Sequence, residues 1–68
     1  MSGTFKLVTL VGTSDRSFAE AAQTAVKDAA ASLRGLSWFE VKELRGKIKD
    51  GNITEYQATL EVGFKVEV

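Results

Sequence analysis

From Ile53 to Val68 the chain alternates with unusual regularity: Tyr56, Ala58, Leu60, Val62, Phe64 and Val66 are apolar, while Glu55, Gln57, Thr59, Glu61, Gly63 and Lys65 are polar or small. A period of two is the signature of a strand with one face toward a core and the other toward water, a cavity or a partner. Upstream, Trp38 to Lys49 also has strand character, and Asp50-Gly51 between the two runs is a type I′ hairpin signal. A third run, Thr4 to Val11, is dense in β-branched and aromatic residues and is bounded by Gly3 and Gly12. Between these strands the period changes. Phe18, Ala22, Ala25, Ala29 and Leu33 recur at spacings of four and three, which predicts a helix ending near Gly35. Ser17 with Glu20 three residues later is a capping box that would satisfy two orphan amides. The pattern therefore predicts a single β-α-β-β unit of the α+β class.

With Asp50 and Gly51 as the turn residues, antiparallel pairing puts Val41 opposite Leu60 and Phe39 opposite Val62, apolar against apolar. The same register sets Trp38, Glu40, Lys42 and Leu44 on the face of Gln57, Thr59 and Glu61, away from the helix. Lengths do not match. The last strand would run roughly 45 Å at 3.3 Å per residue, whereas a helix of about 17 residues covers only about 26 Å. The hairpin must project past its own helix, so Ile48 and Tyr56, together with the second face bearing Trp38, need a neighbouring copy to cover them.

Composition sharpens that expectation. In 68 residues there is room for one domain, and the chain has no cysteine, histidine or proline, which excludes disulfide staples and cysteine- or histidine-ligated zinc. Burying about 3,800 Å² of apolar surface is worth on the order of 95 kcal/mol. Ordering the chain costs roughly 100 kcal/mol. Self-assembly is the leading source of the missing stability. Nine basic residues balance nine acidic ones, leaving no field to attract nucleic acid or an anionic membrane surface. The opening MSGTFKLVTLVG reads as neither a signal peptide nor a transmembrane span, so a cytoplasmic location is expected.

Trp38, the only tryptophan, and Gln57 fall on the uncovered face. Two readings stand side by side: an aromatic filling a subunit contact, or a stacking platform for a flat heterocycle whose edge a carboxamide can both donate to and accept from. Other groups carry less. GTSDRS lacks the Gly-x-x-x-x-Gly-Lys-Ser/Thr pattern of a phosphate loop and reads as a helix-entry turn. Ser14 has no histidine to activate it, so a Ser-His-Asp site is impossible. Glu40, Glu43 and Asp50 are read as solvated charge, with hard-cation ligation at a symmetry axis as the alternative.

Three segments, LVGTSDRSF at 10 to 18, LSWFEVKELRGKI at 36 to 48 and YQATLEVGFKVE at 56 to 67, together resemble the dodecin family of small flavin-binding proteins over nearly the whole chain. The resemblance implies a three-stranded antiparallel sheet partly wrapped around one helix, assembled as a hollow homododecamer of cubic symmetry. It also implies flavins bound in pairs at two-fold axes between tryptophans of related subunits, a role that falls to Trp38. Gln57 matches the residue that hydrogen-bonds the polar edge of the isoalloxazine. Arg45 matches a position at the flavin pocket of bacterial members, although the simple register puts it on the helix face; a bulge near Gly46 or a reach to another subunit would reconcile the two. Phe5 and Lys65 loosely match a surface site for a phosphorylated cofactor such as coenzyme A and stay outside the expected site.

The expectation is thus one flavin-binding domain over residues 1–68 that stores FMN, riboflavin or FAD and suppresses its photochemistry, with no catalytic residues, no metal, and partners limited to itself and the flavin. A structural shell module is the alternative from another class. A flavin reductase or oxidase is a weaker third.

Overall fold

The computed structural model describes residues 2–67. Its order is β1 (Phe5–Ser14), α1 (Phe18–Ser32), β2 (Leu36–Lys49) and β3 (Asn52–Lys65), with β3 central in a three-stranded antiparallel sheet of order β1-β3-β2. The expected end of the last strand at Val68 lies outside the described residues. β1 runs three residues further than the pattern predicts, so the GTS segment closes the strand and the helix entry shrinks to residues 15–17.

The helix start follows the sequence signal in part. Ser17 is the N-cap in extended backbone, and its hydroxyl accepts from the Glu20 amide at 3.0 Å. The other half of the box is supplied differently. The Ser17 amide donates to the Ser14 hydroxyl at 3.4 Å, which also accepts from the Arg16 amide at 2.9 Å. Ser14 is thus a turn-closing side chain. At the other end Leu33 caps the helix through a 2.8 Å bond to the Ala29 carbonyl, and Gly35 turns the chain at φ +74°.

The buried stripe of α1 is Ala21, Ala25 and Ala29, rotated slightly from the predicted one. Phe18 stays at the margin, edge-on to Tyr56 with ring centroids 5.0 Å apart. The rotation has a steric cause. Gly12 of β1 faces the helix so closely that a Cβ there would overlap the Ala21 carbonyl oxygen and lie 2.8 Å from the Ala25 Cβ. Only alanines can meet a glycine at that distance, so the smallest residues take the seam and the larger ones move to its edges. The core is correspondingly thin: Ala58, Leu60 and Val62 of β3 against the alanines, flanked by Val8, Leu10, Val26 and Leu36.

At the hairpin tip Asp50 (φ 51°) and Gly51 (φ 80°) are both left-handed, as a type I′ turn requires. Phe39↔Val62 and Val41↔Leu60 pair as the sequence predicts. Between them and the turn, β2 and β3 change register twice, at Val41/Glu43 and at Lys47/Ile48, with a further shift at Leu36/Trp38. The first shift leaves Lys42 as an extra residue and inverts the parity beyond it. Leu44 therefore pairs with Ala58 on the helix side, not on the open face as the unbroken register requires, and Arg45 pairs with Gln57.

The molecule is long and thin, 54 × 20 × 13 Å. The helix packs on β1 and β3. A ridge from the hairpin, Phe39, Val41, Leu44, Ile48 and Ile53, stays exposed, Ile48 at 76%. The clefts beside the helix are small, about 130 and 180 Å³.

The Gly12 seam gives a direct test. Gly12→Ala is expected to destabilise the protein by about 3 kcal/mol or to prevent folding, read from urea denaturation at fixed protomer concentration; a midpoint within error of the parent contradicts the close approach.

Candidate functional site

Odd-numbered residues of β1, and those of β3 from Glu55 to Lys65, point away from the helix, and the bulge at Lys42 adds Glu43, Arg45 and Lys47 of β2 to them. The open face that results has two ends of different chemistry.

At one end the face is aromatic and apolar. Trp38 pairs with Gly63 across the ladder, and its indole stands 6.4 Å from the Phe5 ring, tilted by 51°, with Leu7 opposite Gly63 on the other side. Trp38 retains 45% of its surface to solvent, and Phe5 and Leu7 nearly the same. An uncovered aromatic cluster on the bare side of a sheet is costly in water and marks a surface meant to be covered.

The other end is polar. Gln57 Nε2 donates to Glu55 Oε1 at 2.8 Å, and Lys47 Nζ lies 3.6 Å from the same oxygen. Arg45, opposite Gln57, pairs with Glu43. Lys42 reaches back between Glu40 at 3.8 Å and Glu61 at 3.6 Å. These surface pairs contribute little stability each, but they fix orientation. With one amide N–H engaged by Glu55, Gln57 keeps its carbonyl oxygen to accept and a second N–H to donate. Chiefly that Gln57 bond holds the Glu55 carboxyl below its ordinary value of 4.5; desolvation opposes it, and the charge and hydrogen bonding of Lys47 add smaller lowering effects.

The sequence-predicted residues are brought together unequally. Arg45 and Gln57 are cross-strand neighbours, which resolves the parity conflict in favour of a bulge. Trp38 is elsewhere: six residues of β3 separate its partner Gly63 from Gln57, roughly 20 Å along the strand. Trp38 and Gln57 therefore mark opposite ends of the open face rather than one compact site. Glu55 and Phe5 are the neighbours that sequence reasoning left out of the site. Glu55 was legible only as the residue two before Gln57, on the same parity, and Phe5 only once β1 is known to lie beside β3. Among the described residues, no three acidic side chains converge as metal ligands would, so Glu40, Glu43 and Asp50 do not form a cation site within one chain.

The fold and this face define a class: a small β-α-β-β protomer with a bare, aromatic sheet face. The Dodecin family model matches residues 4–67. The curated dodecin of Thermus thermophilus is 49% identical over 67 residues, spanning 98% of this chain and 97% of that protein. The solved dodecin of Streptomyces davaonensis superposes with a TM-score of 0.95 at 35% identity over the whole of both chains, and that of Streptomyces coelicolor with 0.94 at 39% over 97% of this chain and 94% of that one. The chain belongs to the Dodecin family. No helix among the described residues is long and apolar enough to cross a membrane.

The Glu55–Gln57 pair predicts a pH response with a definite sign. Because the folded state depresses the Glu55 pKa, the pair's stabilisation is present above the ordinary value and is lost as pH falls below 4.5 through the folded value. A carbon-detected NMR titration of Glu55 should give a midpoint below 4.5, moving upward in Gln57→Ala; an unmoved midpoint in the variant contradicts the bond.

Proposed function

We propose that this protein is a flavin-storage protein whose single domain, residues 1–68, holds FMN or a related flavin in pairs between Trp38 side chains of two copies. The observation that carries the reading is the Trp38 indole, exposed on a sheet face that its own helix cannot cover and braced by Phe5. An offset stack on such a ring suits a large planar ligand. The separation of Trp38 from Gln57 supports a site shared between copies. Gln57 of one chain would serve the polar ring edge of a flavin stacked on Trp38 of another, with its carbonyl oxygen accepting the ring's N–H and the remaining amide N–H meeting the ring's carbonyl oxygen. Arg45 beside Gln57 supplies a cation for the same ligand, either at that edge or at an FMN phosphate.

Assembly as a homododecamer follows from the family resemblance and is supported by the exposed ridge of Phe39, Val41, Leu44, Ile48 and Ile53. Small clefts of about 130 and 180 Å³ are less than the 300–1,000 Å³ of typical small-molecule sites, which again favours a pocket built between subunits. Stacked on both sides, a flavin keeps no free face for a second substrate, so storage is favoured over turnover. An excited flavin accepts one electron from the indole and returns it in the dark, leaving both partners unchanged and the light energy as heat.

Purified protein should darken FMN fluorescence near stoichiometrically, and Trp38→Ala should leave it bright, while Arg45→Ala and Gln57→Ala weaken binding by about tenfold or less. Light scattering should report about twelve times the 7.4 kDa chain mass. The same exposed ridge also favours a second reading, a structural shell module, which predicts that assembly with no change in FMN emission.

A further inference from the structure

Gly63 occupies an unusual place. It lies near the C-terminal end of the central strand, on the sheet face with no helix over it, yet it is buried. What buries it is Trp38. The indole starts on β2, crosses over β3 and ends toward Phe5 of β1, so its six-membered ring rests directly on the Gly63 backbone. A Cβ at position 63 would collide with Trp38 Cε2, and would stand 2.5 Å from Cζ2 and 2.9 Å from Cδ2. Ordinary carbon contacts need about 3.5–4.0 Å. No side chain of any kind fits under the ring.

This is not a demand of the strand itself. Gly63 carries no left-handed φ, and glycine inside a strand weakens it relative to a residue with a side chain. The space above the Cα is used by one thing, the indole. We infer that Gly63 is a positioning residue for the proposed flavin site: it seats Trp38 flat on the sheet and so sets the distance between opposed indoles. The functional half of this inference rests on the flavin reading above.

The magnitude makes the role sharp. One methyl group at position 63 lifts the ring by about 1 Å or swings it aside, since contact needs about 3.5 Å. Where two copies face each other across a two-fold axis, both rings move, and the gap narrows by about 2 Å, more than half the thickness of one aromatic layer. A spacing fitted to stacked flavins no longer admits them. Phe5 limits the escape, because its ring already stands 6.4 Å from the indole on the side of β1.

The test is Gly63→Ala in the assembled protein, read in two ways. Without ligand, Trp38 emission should shift to the red and acrylamide should quench it more strongly, since a lifted ring is more exposed. With FMN, affinity should fall about tenfold or more. A melting cycle guards against a trivial folding defect: Gly63→Ala should lower the melting temperature by about 5 °C or more beside Trp38, and by nothing, or in the opposite direction, in the Trp38→Ala background, where the ring is gone. Equal losses in both backgrounds overturn the inference, as do parental Trp38 emission and quenching in Gly63→Ala. Should the parent protein leave FMN bright, the flavin reading fails, and emission and melting still decide whether Gly63 seats the ring.

Discussion

One helix of 15 residues, about 22 Å long at 1.5 Å per residue, has to serve a sheet whose two hairpin strands each run 14 residues. It lies on β1 and β3 and leaves β2, the hairpin tip and the entire second face without a layer above them. A sheet normally buries at least one face completely. Here the shortfall in covering material is the constraint from which the rest follows, because the sequence keeps placing apolar residues where the chain cannot cover them: Phe39, Val41, Leu44, Ile48 and Ile53 on the helix side, Phe5, Leu7 and Trp38 on the other.

The interior cannot compensate. Leu60 and Val62 are the only large side chains fully enclosed among the described residues, and the helix meets the sheet through alanines. Close approach at Gly12 gives good packing density but little area per residue. A thin seam of this kind holds the helix in register without supplying much free energy. Folding and association therefore act on the same apolar surface, and a change at the seam will register in both.

How much of this the sequence disclosed depended on whether a feature was periodic. The parity of β3, the Asp50-Gly51 turn and the pairing of Phe39 and Val41 followed from alternation and turn chemistry, which are local. The bulges did not. A single extra residue at Lys42 leaves the composition of β2 unchanged while moving Leu44 to one face and Arg45 to the other, and no propensity distinguishes the two registers. The conflict over Arg45 was itself the signal, since a charged residue assigned to a helix-covered face needs an irregularity to escape it. The separation of Trp38 from Gln57, by contrast, was already contained in the register: with Phe39 opposite Val62, Trp38 falls opposite Gly63, six positions from Gln57.

That separation gives the bulge its importance. By inverting parity between Val41 and Glu43, it gathers Glu43, Arg45 and Lys47 beside Glu55 and Gln57, so that the polar groups lie at one end of the open face and Phe5, Leu7 and Trp38 at the other. Without it, Leu44 would stand opposite that polar end and Arg45 would be lost beneath it. An aromatic end and a polar end about 20 Å apart divide the open face into two regions of different chemistry. The same division explains why the polar end is so thoroughly paired within the chain. Carboxylates holding Gln57, Arg45, Lys42 and Lys47 keep those groups oriented and their charges balanced until a partner arrives. Orientation set in advance lowers the entropic cost of association.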